Sequence, residues 1–426
     1  MRLELNVINI KKVQFTKKTG IDKGMLSINR EELQKILEED TRLGSVDIEL
    51  AQPGEKCRIT RVFDAIEPRA RLGNGSVDFP GALGKQGVVG DGKTCVLRGA
   101  AVLTSQCFTG AEGQSRRAAG GIVDMWGPGA EVGPYGGTCN VVLLPSPSQG
   151  TSLSDYLVAI KIAGLKTAVY LAKAGVDLTP NETEVYDMEP FPLTRRDLPE
   201  LPRVAYIFQI FSNQQLPLPG DPVFYGDNID GIVPTIIHPN EVFDGAITTL
   251  SIDTYLLQNH PILKELYRNH GKSLYLVGVI ITNAPNNGPA IERAATIAAN
   301  QAKFILRADG VILTKYGGGA PEMTMGATAQ KCERLGIRTA LAIQHAGLDT
   351  AEISLKPSTI FTDTPEVDAI VSLGTNVGGP DLTLPVPERV IGMDSVQLAK
   401  ELVRQVSQIK GATSLIGNSK LMTVRY

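Results

Sequence analysis

The sequence lacks the features that mark several protein classes. No apolar run approaches the roughly 18 residues that a membrane-spanning helix requires. Five cysteines, at 57, 95, 107, 139 and 332, are odd in number and widely spread, with no CxxC pair. That argues against a disulfide framework or a zinc ribbon. HExxH and HxxxH are missing too, so no metal is expected; a metal site would have to be assembled across the fold. Charge is nearly balanced: 42 basic against 45 acidic side chains leave −3 with His neutral. That net charge is too small to hold a nucleic-acid backbone, and no nucleic acid or membrane partner is expected. Met1-Arg-Leu-Glu-Leu-Asn lacks the basic start and apolar stretch of a signal peptide, which points to the cytoplasm. Aromatics are scarce, at 5%, while Gly (44) and Pro (26) are plentiful. This is the composition of a loop-rich α/β enzyme rather than a helical bundle.

Over 426 residues, 42% are hydrophobic. At roughly 100–200 residues per domain, two or three cores are expected. Residues 1–190 read as a β-rich N-terminal domain with a trailing helix. Strand patterns run over 3–10, 46–50, 57–63, 96–103 and 140–145, and a short amphipathic helix over 28–39. Glycine is dense from 73 to 137, so loops are expected there. Helical spacing covers 154–174. The Pro-, Glu- and Asp-rich stretch 180–202 is the expected boundary. Residues 200–426 read as a doubly wound, mostly parallel α/β domain. Strands are expected at 203–211, 232–237, 274–282, 310–314, 339–343 and 367–373, and helices at 261–270, 290–308, 325–335 and 395–409.

Several motifs carry possible chemistry. Gly84 to Gly92, then Lys93-Thr94, has a P-loop flavour, but the spacing fails and a strand follows it. Gly317-Gly318-Gly319-Ala-Pro-Glu322 follows a strand and opens a helix, a place for an anionic group. Gly318 and Glu322 are therefore candidate substrate-binding residues. Asn283-Ala-Pro-Asn-Asn-Gly sits alike, and the two loops could form one rim of a cleft. Of four histidines, His238 ends a strand and His260 stands at a helix mouth, stiffened by Pro261. Cys95 lies among Gly and Lys, which favours a thiolate slightly; Cys139 and Cys332 read as packing. Arg58, Arg61, Arg69 and Arg71 surround Glu67-Pro68, as a carboxylate dock or, with better odds, an exposed strand face.

Three ordered sets of blocks carry a family resemblance. The first is Ala51-Gln-Pro-Gly-Glu, Arg58-Ile-Thr and Ile66-Glu-Pro-Arg. The second is Gly92-Lys-Thr, Leu97-Arg-Gly-Ala-Ala-Val-Leu-Thr and Gly121-Ile-Val-Asp-Met-Trp-Gly-Pro-Gly-Ala. The third is Val204-Ala-Tyr, Ile232-Val-Pro-Thr-Ile, Asp244-Gly-Ala-Ile, Gln258-Asn-His-Pro, His270-Gly-Lys and Gly278-Val-Ile-Ile-Thr-Asn. The sequence resembles the α/β-subunit precursor of component B in the glycine/sarcosine/betaine reductase family, which includes D-proline reductase. The blocks thin out after about residue 345.

The resemblance implies an oxidoreductase subunit that reductively cleaves a C–N bond of a small amino acid or betaine-like derivative. It implies a hetero-oligomer, with the nucleophile on a Cys- or Sec-containing partner subunit. It also implies an internal cut at a cysteine that leaves a pyruvoyl group. In this chain the corresponding segment, Thr248 to Leu257, has no cysteine. The expectation is an intact chain with no cofactor, Ser251 being the alternative source of a pyruvoyl group. By position and chemistry, His260, Asn259 and Ser251 are the catalytic candidates. Asp244, Tyr255 and His238 join Gly318 and Glu322 as substrate-binding candidates. A non-catalytic scaffold or binding subunit of such a complex is the competing reading.

Overall fold

The structure, a computed structural model, describes residues 1–72, 78–83, 88–109, 120–189, 200–213, 221–229, 231–249, 251–345, 367–375, 381–393 and 395–417. The chain opens with β1 (Arg2–Asn9) and a small ribbon of β2 (Lys12–Phe15), β3 (Gly20–Asp22) and β4 (Met25–Ile28). Helix α1 (Arg30–Leu37) starts at Asn29, whose side chain accepts from the Glu32 amide, and it buries Leu33 and Leu37. Strands β5 (Leu43–Ala51), β6 (Cys57–Ile66), β7 (Arg69–Leu72), β8 (Gly92–Arg98), β9 (Ala100–Ser105) and β10 (Gly121–Asp124) follow. Then come α2 (Gly127–Val132), β11 (Cys139–Pro147), α3 (Leu153–Lys173) and β12 (Glu182–Asp187).

These strands form two sheets, ordered β12-β1-β8-β7 and β10-β6-β9-β11-β5. The strand expected over 96–103 is in fact two, one in each sheet. Gly99 makes the switch at φ +84°, and a Cβ there would stand 2.5 Å from the Ile10 carbonyl oxygen. The glycine-dense region is less loop-like than its composition suggests, since β8, β9, β10 and α2 lie in it. Helix α3 lies between the sheets, packing on β7 and β8 of one and on β6 and β9 of the other. It is buried on most sides, which is why its pattern is almost continuously apolar. Within the expected boundary stretch, β12 pairs antiparallel with β1; residues 190–199 lie outside the described ones.

The next elements are β13 (Arg203–Ser212), β14 (Thr235–Ile237), α4 (Pro239–Phe243), α5 (Thr254–Gln258), α6 (Pro261–Asn269), β15 (Tyr275–Ala284) and α7 (Gly288–Asn300). After them come β16 (Gly310–Thr314), α8 (Ala320–Arg334), β17 (Arg338–His345) and β18 (Ala369–Thr375). The sheet runs β14-β15-β13-β16-β17-β18, with every pair from β15 to β18 parallel and β14 antiparallel. One face carries Ala298, Ala302, Met325 and Ala329 of the α7–α8 region on Ile207, Val277 and Leu341. The other face, with Tyr206, Phe208 and Val279, packs against Phe243 and Leu263, and against Leu5 and Val96 of the first sheet. The result is a mixed α/β fold of several sheets, whose second half shares a core with its first.

The helix expected over 395–409 is not there. Instead α9 (Ser395–Leu398) ends early, β21 (Leu402–Gln405) pairs antiparallel with β19 (Asp381–Leu384), and a 3-10 turn covers Val406–Gln408. Leu402, Val406 and Ile409 share a small core with Leu384 and Ala412. Their spacing imitates a helical face, but a strand followed by a turn produces it. Strand β20 (Arg389–Ile391) adds to β6. Arg58 then fastens this C-terminal strap. Its Nε and Nη2 donate to Asp124 at 2.7 and 2.9 Å, and its remaining N–H groups reach the carbonyls of Leu398, Lys400 and Pro385. Arg58 and Arg69 are fully buried, which corrects the exposed strand face expected around Glu67.

Candidate functional site

A cavity of about 340 Å³ opens at the carboxyl ends of β16 and β17. Tyr316 and Gly317 follow β16, and Gln344 is the penultimate residue of β17. Ser251, Asp253 and Leu256 line it, and the C-terminal strap from Ser407 to Leu415 forms one wall. Gly120, Ser251 and Gln408 are exposed at its mouth.

The charged centre of the cavity is Asp253 with Lys410. The Lys410 ammonium pairs with Asp253 Oδ1 at 2.7 Å and donates to the Phe63 carbonyl at 2.8 Å. The Tyr135 hydroxyl donates to Asp253 Oδ2 at 2.6 Å. Behind them, Asp64 is fully buried and accepts from the Thr254 amide and hydroxyl at 2.9 and 2.8 Å. Burial, with Asp253 nearby, pushes the Asp64 carboxyl up to about 6.

The loop from Thr248 to Asp253 is held from below. Buried Lys161 of α3 pairs with buried Asp221 at 2.8 Å and donates to the Thr248 carbonyl at 2.9 Å. The Tyr316 hydroxyl accepts from the Ser251 amide at 3.0 Å. Tyr316 is itself fixed by Gln209 of β13, whose Oε1 accepts from its amide.

Of the eight residues singled out in the sequence, only Ser251 borders this cavity. Glu322, in the first turn of α8, accepts from the Lys315 ammonium and from the Gly319 amide, with Gly318 just before it. The Gly317 loop and the Asn283 loop border different cavities, the latter one of about 160 Å³. His260 caps α6, its Nδ1 accepting from the Leu263 amide, and its ring stands edge-on to Tyr206 and Phe208. His238 caps α4 through the Asn240 amide. Burial pulls the two imidazoles down to about 3 and about 4.

Asn259, Tyr255 and Asp244 lie along a buried charge network. Glu67 accepts from Arg69 at 2.6 and 3.0 Å, from Arg98 at 2.8 Å and from Asn259 at 3.3 Å. The Gln258 side chain pairs with the Glu67 backbone, its Oε1 accepting from the Glu67 amide and its Nε2 donating to the Glu67 carbonyl. The Gln258-Asn-His-Pro block is therefore docked on the Ile66-Glu-Pro-Arg block. Tyr255 stands edge-on to Tyr135 at 5.5 Å. Asp244 accepts from Arg71, the Gly90 amide and the Thr94 hydroxyl.

The five cysteines are all free thiols. Burial raises Cys57 and Cys107 to about 11, Cys95 and Cys332 to about 12, and Cys139 as well. The thiolate leaning expected of Cys95 is overturned, because Cys95 is buried at the back of β8. Among the described residues no cluster of His, Cys, Asp and Glu has metal-binding geometry, and no helix is long and apolar enough to cross a membrane.

Sequence reasoning missed Lys410, Asp253, Tyr135 and Gln344. Asp253 had a signal, lying between two of the quoted blocks. Lys410 had none, lying one residue past the stretch 395–409 that was read as a helix.

Comparison with known proteins agrees with these blocks and extends them. The sequence profile of glycine/sarcosine/betaine reductase component B subunits matches residues 1–413, past the point where the quoted blocks thin out. The glycine reductase complex component B subunits alpha and beta of Acetoanaerobium sticklandii are 36% identical, covering all of both chains. The sarcosine reductase complex component B subunit alpha of Peptoclostridium acidaminophilum is 36% identical, over 92% of this chain and 90% of the relative. The betaine reductase complex component B subunit alpha of the same organism is 33% identical, over 80% and 77%. No solved structure matches. The chain belongs to the family of glycine/sarcosine/betaine reductase component B subunits.

Proposed function

We propose that this chain is the substrate-holding subunit of a cytoplasmic reductase that cleaves the C–N bond of a small betaine-like amino acid derivative. The observation that carries this reading is an open cavity at the strand ends in a chain whose five thiols are all held protonated by burial. The attacking thiolate or selenolate then belongs to a partner subunit, which reaches the substrate through the mouth at Ser251 and Gln408. The strand order β15-β13-β16-β17-β18 supports a doubly wound sheet, in which ligands lie at the carboxyl ends beside the point where the strand order reverses. Five free cysteines fit a reducing compartment.

In this step the partner's sulfur or selenium attacks the α-carbon, and the C–N bond breaks with its electron pair leaving on the amine. The carboxymethyl group stays on the partner. A cysteine-derived pyruvoyl group does not fit the residues present, since the segment from Thr248 to Leu257 holds Ser251 but no thiol. An imine to such a carbonyl forms only with primary or secondary amines. A quaternary ammonium forms none and leaves as a neutral tertiary amine without a proton. Asn259 serves here as a fastener of the Glu67 block and His260 as the cap of α6, and substrate contact passes to the cavity.

The test is turnover by the complex reconstituted with its Cys- or Sec-containing partner. Betaine is expected to be consumed and glycine to be a poor substrate. Glycine turnover at a comparable rate would overturn the reading.

A further inference from the structure

The cavity presents an ion pair to its contents. Lys410 has three N–H groups; the Asp253 carboxylate takes one and the Phe63 carbonyl another. The third remains for the cavity that Lys410 lines. Asp253 is almost fully buried and Tyr135 holds its second oxygen, so the carboxylate cannot turn away. Positive and negative ends therefore stand side by side, 2.7 Å apart, in a partly water-excluded space. Such a pair matches a small zwitterion laid antiparallel to it.

We infer that the cavity reads its ligand as a zwitterion, with Lys410 binding the carboxylate and Asp253 facing the cationic nitrogen. The inference rests on the reading of this cavity as the substrate site and names the groups that make the choice. Leu256, Tyr316 and Phe63, which also line the cavity, give the alkylated nitrogen apolar neighbours. A carboxylate without a cation leaves Asp253 unanswered, and a cation without a carboxylate leaves Lys410 unanswered. Neither acetate nor choline can satisfy both ends.

The inference assigns a specific role to the strap. Lys410 follows the turn at Val406–Gln408, just past the end of the helix expected over 395–409. Arg58 and the β19–β21 pair hold that strap in place. Substrate recognition therefore depends on Lys410, a residue far along the chain from the motif blocks.

The experiment is calorimetric titration of the full-length chain with glycine betaine, acetate and choline. The variants are Lys410→Met, Lys410→Arg and Asp253→Asn, each shown folded by circular dichroism. Betaine should bind, and acetate and choline should each bind weaker by about tenfold or more. Losing one charge-assisted hydrogen bond should weaken betaine by about 10- to 100-fold in Lys410→Met. Lys410→Arg should retain most of the affinity, since it keeps charge and donors. Choline binding as tightly as betaine, or a folded Lys410→Met binding like the parent chain, would overturn the inference and leave the cavity reading standing. A folded parent chain that binds no zwitterion would overturn both.

Discussion

The Lys410 ammonium stands 2.7 Å from the Asp253 carboxylate, joining the C-terminal strap to the loop that opens α5. Tyr135 completes the arrangement from the turn before β11. Three distant parts of the chain thus meet at one carboxylate. Tyr135→Phe removes a hydrogen bond to a charged acceptor and should cost about 1.5–3 kcal/mol. Urea unfolding measures it, and an unchanged midpoint would show that the hydroxyl does not support Asp253.

Glu67 is the anchor between the two motif blocks. It is buried with Arg69 and accepts from Arg98 and Asn259. Glu67→Gln leaves the buried Arg69 guanidinium without its paired carboxylate and Arg98 with Glu184 alone. A loss of about 3–5 kcal/mol is expected, as for breaking a buried pair from one side. A loss under about 1 kcal/mol would mean the network is not a structural clasp.

Much of the architecture could be read from the pattern alone. Strands from β13 to β17 appear as apolar runs separated by helical spacing, because a strand covered on both faces has no polar side to show. Helix α3 was legible for the same reason. The strap was not, because Leu402, Val406 and Ile409 satisfy a helical spacing without forming a helix. The site was legible only at Ser251 and at Gly317 of the glycine loop. Its other members are single residues brought together by tertiary packing, and neither Lys410 nor Tyr135 lies in a motif. Gln258-Asn-His-Pro drew attention as chemistry, whereas its contacts are with the Glu67 block.

Buried histidines set the acid limit of the fold. His260 is held down to about 3 and His238 to about 4, below the 6.5 of a free imidazole. The unfolded chain therefore takes up protons that the folded chain refuses. This contribution to stability is whole above pH 6.5 and is lost as pH falls toward those folded values. At roughly pH 5 the loss amounts to on the order of 2 kcal/mol per histidine. Asp64, raised to about 6, acts in the opposite sense, its contribution present at low pH and lost as pH rises through that value. His260→Asn keeps a capping acceptor and removes one titration. Its stability should vary less than the parent's between pH 7 and pH 5, which urea midpoints at both values would reveal; equal variation would contradict the assignment.

The thiols of this chain should be dispensable for the chemistry. All five sit at raised pKa values, and Cys107 alone is half-buried while the rest are buried. Treating this chain with iodoacetamide before assembly should leave the turnover of the reconstituted complex within about twofold of the untreated one. Loss of turnover that tracks modification of one cysteine would place the nucleophile here instead of on the partner.

The most direct measurement is an intact-mass spectrum of the purified chain before and after borohydride. The account predicts one species at the full-length mass, unchanged by the reductant, because the segment from Thr248 to Leu257 offers no cysteine for the cut. Two fragments split near Ser251, one gaining the mass of a reduced carbonyl, would contradict it. Primary and secondary amines would then become the leading substrates.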